Sequence, residues 1–370
     1  MLAFSPLDAY SGMGARTRAV IEDLVALGAE VVPISVGEGD DGATLRAGSA
    51  TLRVEAVTVG SKGGLLPRLG WRLRQLAPSL DALVMEGAMF VPAVTAAGAR
   101  CPLVWDVNEL ETLHYRRLPP APATTARRAA WRILEEWAAR QAAVVVAISD
   151  DEADWCSRLL PASRDRLAVV GHRVPRPPSI SISQPTRTRR PDWGETDPRI
   201  VFVGNLGAKH NADAARWIVE ALAPELQCAA TVLLVGPGTE TAGSGRIGRA
   251  HVVGLGAVED LSTVIGSDDI AIAPLAAGAG VKTKVLDYLD LGCRVVATPV
   301  SLEGIADPPG VVRAELDGFA GALRAMVSSP EPVALLRRRG EQQRAWLGRH
   351  AAPAGTQAGW RDVLARLGLA

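Results

Sequence analysis

Short runs of residues that are apolar on both faces recur along the chain, and they set its class. They are EVVPI, ALVME, PLVWDV and AAVVVAIS in the first half, then RIVFVG, TVLLVG, HVVGL, DIAIAPL and RVVATP in the second. A strand with one face in water alternates apolar with polar side chains, whereas a parallel strand covered by helices on both sides does not. Between the runs lie segments with a helical apolar period. They are ARTRAVIEDLVAL, stopped by Gly28, then NADAARWIVEAL, VEDLSTVIG and a segment opening near Val281 and closing at Leu291, where Gly292 is placed to turn left-handed. At the front, LAFS, the loop PLDAYSGMG, the first helical segment and EVVPI read as a β-loop-α-β unit. The pattern predicts an α/β fold built from doubly wound, Rossmann-like parallel sheets.

The alternation is interrupted once. HRVPRPPSISISQPTRTRRPDWGETDP, from His172 to Pro198, is rich in proline, serine and arginine, has no helical period, and reads as a linker. Its TRTRR cluster is either a phosphate-binding arm or a set of solvated cations. With 370 residues the chain exceeds the size at which one hydrophobic core stops growing. The predicted organisation is a first domain over 1–172, a linker over 173–198, a second domain over 199–350 and a closing helix within 351–370. Ligands of open sheets of this kind bind beyond the carboxyl ends of the strands, so a central cleft faced by both domains is the expected site.

Forty basic residues balance forty acidic ones, which leaves no global field to draw in nucleic acid or an anionic membrane, so any anion must be bound locally. Cys101, Cys156, Cys228 and Cys293 form no C-x-x-C pair or Cys/His cluster. They read as reduced thiols, and no metal site is predicted. The start, MLAFSPLDAY, lacks a basic stretch followed by an apolar core, and no apolar run is long enough to cross a bilayer. A cytoplasmic protein with no integral membrane segment is expected, and richness in alanine and arginine suggests a bacterial genome rich in G and C.

The chemistry concentrates in GAGVKTKVLDYLDLGCRVVATP, Gly278 to Pro299. Here Lys282 and Lys284 fall in the first turn of a helix, where free N–H groups and the helix dipole disfavour cations. A bound anion resolves the conflict, and glycine-rich backbone ahead of the helix, Gly280 included, with Thr283 between the lysines, has the ingredients of a phosphate site. Lys284 and Asp287, three apart, share a face that offers a cation for phosphates and a carboxylate for ribose hydroxyls. The alternative is an ordinary solvated Lys–Asp pair. The loop SGMGAR poses the same choice: Gly12 and Gly14, flanking Met13, either let backbone approach a ligand or form a plain turn. It is a poor dinucleotide fingerprint, because Thr17 stands where the third glycine belongs.

The motifs FVGNLGAKHNADAARWIVEALAPEL, VLLVGPG and VVGLGAVEDLSTVIGSDDIAIAPLAAGAGVKTKVLDYLDLGCRVVATPVSLEGI resemble, in order, the donor-binding domain of family 4 retaining glycosyltransferases of the GT-B fold. SGMGARTRAVIEDLVALGAEV and WDVNELETLHYRR are similar to the family's first domain, so the resemblance covers most of the chain. It implies a nucleoside diphosphate sugar as donor substrate with no further cofactor, a small-molecule or glycan acceptor held chiefly by the first domain, and AGWRDVLARLGLA as a helix crossing back to that domain. It makes Lys284 the diphosphate ligand, Asp287 the ribose ligand, Gly12 to Gly14 a cradle for phosphates and sugar, and backbone from Leu255 to Val258 the lining of the base pocket. Lys282 either assists or is solvated.

The chain departs from the family in three places. Asp287 stands for the second of a pair of glutamates, and Ala277 or Gly278 lies nearest the first. Asn205 replaces an arginine, with Lys209 or His210 as substitute cations, and VVGHRVP replaces P-N-G.

The resemblance implies transfer with retention, in which Lys284 and the helix terminus stabilise the leaving diphosphate without a metal and that diphosphate takes the acceptor proton. If a protein base exists on the acceptor side, Asp106 and Glu109 after the strand PLVWDV are the candidates, the alternative being caps or surface groups. Arg116 and Arg117 either meet an acidic acceptor or are solvated, and His114, His172 and His210 receive no role. The absence of an evident amphipathic basic helix favours a small or glycan acceptor over a lipid-linked one. The rival readings are a nucleotide-sugar epimerase or hydrolase, a dinucleotide-dependent oxidoreductase, and a non-catalytic relative that binds nucleotide sugar or a partner.

Overall fold

A computed structural model describes residues 2–3, 12–35, 44–47, 50–53, 55–56, 65–174 and 198–369. The loop before Gly12 and the TRTRR cluster lie outside these residues. The chain divides into two compact units. Met1–Pro175, Ala279–Val281 and Ala351–Ala370 form the first, and Arg176–Gly278 with Lys282–His350 form the second.

The first unit runs β1 (Leu2–Ala3), α1 (Gly12–Ala26), β2 (Ile34–Ser35), β3 (Thr44–Ala47), β4 (Ala50–Arg53), β5 (Glu55–Ala56), α2 (Leu65–Leu76), β6 (Leu83–Glu86), α3 (Val91–Ala97), β7 (Leu103–Val107), α4 (Glu111–Arg117), α5 (Pro122–Gln141), β8 (Val144–Ala147), α6 (Asp150–Leu159) and β9 (Leu167–Val169). Its sheet has the order β5-β2-β1-β6-β7-β8-β9, with every pairing parallel, while β3 and β4 form a separate hairpin. Successive strand residues feed opposite cores, as a parallel strand covered on both sides requires. Leu83, Met85, Trp105 and Val145 pack with α2, α3 and α5, whereas Val84, Val104, Val144 and Val146 pack with α1. The run EVVPI yields only the short β2, and α1 stops as expected, with Gly28 at φ +90° just beyond it.

Helix α2 is a correction to the sequence reading. Leu69 and Leu73 are buried while Arg68 and Trp71 face solvent, Trp71 at 64% exposure, so the chain does carry an amphipathic basic helix. Pro67 in its first turn and Gly70 in its middle masked it, because both are poor helix formers. Here Gly70 lies where a side chain would crowd the Ala93 carbonyl at 3.4 Å.

The second unit runs β10 (Arg199–Val203), α7 (Lys209–Trp217), a π-helical turn into α8 (Ala223–Glu225), β11 (Ala230–Val235), β12 (Gly245–Ile247), β13 (Ala250–Gly256), β14 (Ile270–Ala273), α9 (Thr283–Asp290), β15 (Arg294–Ala297), β16 (Val311–Arg313), α10 (Phe319–Val327) and α11 (Val333–His350). Its sheet order is β12-β13-β11-β10-β14-β15-β16, and only the edge strand β12 is antiparallel. The segment VEDLSTVIG forms a single 3-10 turn at Leu261–Thr263 instead of the expected helix. The Asp260 carboxylate accepts from the Ser262 N–H and hydroxyl at 2.8 and 2.7 Å, and Thr263 Oγ1 donates back to the Asp260 carbonyl. Such local bonds compete with helix propagation.

The last helix, α12 (Pro353–Arg366), belongs to the first unit, where Trp360 and Val363 are fully buried with Val20, Ile21 and Leu24 of α1. Each sheet is doubly wound. The winding direction reverses beside β1 in the first and between β10 and β14 in the second, the kind of place at whose carboxyl edge open sheets generally bind ligands.

Candidate functional site

At the reversal point of the second sheet, β10 and β14 begin to separate and α9 closes the gap. Tyr288, buried on α9, accepts the Val203 N–H at 2.7 Å and donates to the Ile272 carbonyl at 3.2 Å, bridging the two strands where their own ladder has ended. Four residues earlier, Lys284 lies on the same face. Its ammonium donates to Asn211 Oδ1 at 2.6 Å and stands 4.4 Å from the centre of the Phe202 ring. Burial, and then the charge of Lys282, hold Lys284 down to about 7, with Asp287 opposing. Lys282, the residue that caps α9, is buried as well, and Asp287 is half-buried one turn along. Two cations and a carboxylate are thus gathered at one helix start, and neither lysine is a solvated surface charge.

Asn211 sits in the first turn of α7, and its amide nitrogen donates to the Asn205 carbonyl at 3.0 Å. Asn205 turns its own side chain back to accept the Gly207 N–H at 2.8 Å, so it shapes the loop after β10. Lys209 is exposed and pairs with Asp213 at 2.5 Å along α7. The structure does not bring it to Lys284. Leu255 lies near the end of β13, two strands from β10, and Val258 just beyond it, both half-buried. Thr283 opens α9, and Gly280, at φ +67°, packs as part of the first unit. A side chain at Gly280 would come within 2.3 Å of the Asn108 carbonyl.

In the first unit Gly12, Met13 and Gly14 are the opening residues of α1, and two side chains immediately after them pin that end of the helix. Arg16 donates to both oxygens of Asp106 at 3.1 and 2.9 Å and to the Gly171 carbonyl at 2.5 Å. Thr17 donates to Glu86 at 2.5 Å. Glu86 and Asp106 are register partners at the ends of β6 and β7, and burial, then Asp106, push Glu86 up to about 8. Asp106 is fully buried with both oxygens engaged by Arg16, so it anchors α1 and does not stand open to an acceptor. Glu109 is partly exposed and accepts the Ala279 N–H at 3.1 Å. Burial pushes Glu111 and Glu135, behind it, up to about 7. The guanidinium carbons of Arg116 and Arg117 lie 5.8 and 5.9 Å from the centre of the Trp155 ring, within cation–π range, so the two are not simply solvated. Burial and Arg16 hold His172 down to about 3, so it is a neutral ring.

Residues 197–329 match the family model described as glycosyl transferases group 1, and residues 11–172 match the glycosyl transferase 4-like domain. This chain belongs to the group 1 glycosyltransferases. No curated protein sequence matches it. Among solved structures, this glycosyltransferase is similar to a sucrose-phosphate synthase from Thermosynechococcus elongatus, with a TM-score of 0.72 and 13% identity over 99% of this chain and 98% of that one. It is also similar to Anabaena HepE in complex with UDP-glucose, with a TM-score of 0.72 and 14% identity over 98% of each chain. A trehalose-phosphate synthase from Burkholderia xenovorans in complex with glucose-6-phosphate gives a TM-score of 0.65 and 12% identity over 99% of each chain. At these identities the likeness establishes the GT-B fold and no more.

Sequence reasoning missed the partners in this glycosyltransferase's two clusters: Asn211 and Phe202 around Lys284, and Arg16, Thr17 and Glu86 around Asp106. Asn211 opens the helical run NADAARWIVEAL, and that polar start at the turn after a strand was the available signal. Arg16 carried none, because its partner is 90 residues away. Among the described residues, no helix is long and apolar enough to cross a membrane, and no group of three His, Cys, Asp or Glu side chains is arranged to hold a metal ion.

Proposed function

We propose that this glycosyltransferase takes a nucleoside diphosphate sugar as donor, binds it at the carboxyl edge of the second sheet, and passes the sugar with retention to a small-molecule or glycan acceptor. The observation that carries the reading is the buried Lys284 ammonium at the start of α9, with Lys282 two residues before it and Asp287 three after. Lys284 is hydrogen-bonded to a neutral amide, and Asp287 is a single carboxylate beside two buried lysines, so a diphosphate supplies the further anionic charge. HepE, of the same fold, has been seen with UDP and glucose.

In this reading Lys284 and the free N–H groups of α9 stabilise the charge that develops on the leaving diphosphate, placed in advance in a site of low dielectric. Asp287 accepts hydrogen bonds from the ribose. The leaving diphosphate removes the acceptor proton as the sugar's bond to it breaks and the bond to the acceptor oxygen forms on the same face. Lysine charge serves the phosphates, so no metal ion is required. On the acceptor side Gly12 to Gly14 offer backbone at the start of α1, and Glu109 is the carboxylate with solvent access. Asp106 is withdrawn from a base's role by Arg16.

A thermal-shift screen of the chain against UDP, GDP, ADP, TDP and CDP tests this, followed by turnover of the matching nucleotide sugars with the anomeric configuration of the product read by NMR. One diphosphate should stabilise the protein, and Lys284→Ala should lose the effect. Stabilisation by none of them, or an inverted product, would overturn the reading.

A further inference from the structure

We infer that Asn211 is a positioning residue for the donor site: its amide fixes where the Lys284 ammonium stands and thereby how tightly the leaving diphosphate is held. This rests on the reading that Lys284 meets the diphosphate. The chain contains four lysines among its forty basic residues, and two of them stand at the start of α9. Apart from Lys62 and Lys209, arginine supplies the basic side chains elsewhere. A lysine brings a compact charge whose protonation responds to its surroundings, at the cost of a flexible four-carbon stem. Something must hold that stem.

The geometry points to Asn211. Its side chain is buried, with Oδ1 2.6 Å from Lys284 Nζ. The orientation of the amide is fixed from the other end, because Nδ2 donates to the Asn205 carbonyl at 3.0 Å. A flipped amide would set two N–H donors against an ammonium that only donates. The backbone is cut to fit. A side chain at Gly204 would come within 3.0 Å of Asn211 Cγ and 3.1 Å of Phe202 Cε1, the two groups that flank the lysine, so anything larger than glycine would press on both. Chemistry also selects the residue type. A carboxylate in this place would neutralise the lysine and compete with phosphate, while a neutral oxygen aims the ammonium and leaves its charge and its other two N–H donors for the ligand.

The test uses UDP as probe and the full chain in four forms: wild type, Asn211→Ala, Lys284→Met and the double variant. Titration calorimetry should show Asn211→Ala weakening UDP binding about tenfold in the wild-type background, the scale of one hydrogen bond to a charged group, and less than twofold when Lys284 is already Met. With only four lysines to resolve, ε-carbon labelling and NMR follow Lys284 itself, its signal assigned by its loss in Lys284→Met. Asn211→Ala should lower the pH midpoint of that signal, since the ammonium loses an acceptor. Equal losses in both backgrounds, or an unmoved midpoint, would overturn the proposal, because a merely structural asparagine gives both. If Lys284→Met binds UDP as tightly as wild type, the donor reading itself fails, and that single variant reports it. Should Asn211→Ala melt at a much lower temperature, Asn211→Ser keeps the fold with a shorter acceptor and carries the same two readouts.

Discussion

The Lys284 ammonium stands 4.4 Å over the Phe202 ring, a cation held against an aromatic face inside the protein. The ring favours the charged form and burial opposes it, and burial prevails, with the amine held down to about 7. A group poised there is largely neutral in the free protein at mild alkaline pH. An arriving diphosphate should raise its midpoint and draw a proton onto it. We expect UDP binding at pH 8 to take up a sizeable fraction of a proton, and affinity to fall as pH rises from 7 to 9. Calorimetry in buffers of different ionisation enthalpy measures the uptake, and the same observed heat in every buffer would exclude Lys284 as the responding group.

The same burial implies that the lysine destabilises the empty protein. Its folded midpoint lies below the ordinary lysine value of 10.5. The unfolded chain therefore binds more protons between about pH 7 and 10.5, and stability rises with pH across that window. The penalty is largest below pH 7. Lys284→Met should raise the stability of the free protein by about 2–4 kcal/mol at neutral pH while removing stabilisation by UDP. Denaturant melts with and without UDP read both. A variant less stable than wild type would show that the packing of the lysine stem outweighs the cost of its charge.

How far such sites were legible in the sequence follows from distance along the chain. The strands β10, β14 and β15 were readable as apolar runs, and α9 as a helical stripe ending at Gly292, because each is a local pattern. Lys284 was visible as an oddity, a cation at the wrong end of a helix. Its partner was not, since Asn211 lies 73 residues away and only the folded sheet brings α7 beside α9. The clamp between Arg16 and Asp106, over 90 residues, was hidden in the same way, so an isolated carboxylate after a strand looked open to an acceptor. Helix α2 failed for the opposite reason, a local signal obscured by its own Pro67 and Gly70.

Glu86 carries a pH dependence of the other sign. Its carboxyl is pushed up to about 8 by burial and by Asp106. The folded protein then holds a proton that the unfolded chain has released between about pH 4.5 and 8. Stability contributed by the neutral acid is present below the lower value and is lost as pH rises through the upper one. Glu86→Gln, which keeps a neutral side chain for Thr17 to bond, should flatten the decline between about pH 4.5 and 8 and leave the protein more stable than wild type at pH 9. Parallel curves for the two proteins would place the decline elsewhere.

The clamp itself should be costly to break from one side. Arg16 and Asp106 are both buried, and removal of one leaves the other charge uncompensated, a loss of about 3–5 kcal/mol. Arg16→Met and Asp106→Leu should each destabilise the protein to that extent, and the pair together by less than the sum. Chemical denaturation of all three variants measures the coupling, and simple additivity would mean that the two side chains do not act as a unit.

Asp287 separates the two halves of the donor reading. If its carboxylate holds the ribose, Asp287→Ala should weaken UDP by about tenfold and inorganic diphosphate by much less, since the latter has no hydroxyls for it to bind. A second effect follows from its position one turn after Lys284, whose charge it supports. Without that neighbouring anion the lysine midpoint should fall further, and proton uptake on UDP binding at pH 7, where the free lysine is about half protonated, should increase. Calorimetry of both ligands in two buffers gives the affinities and the proton count from one set of titrations. Equal losses for UDP and diphosphate with greater uptake would make Asp287 a support for the lysine alone and return the ribose to another group.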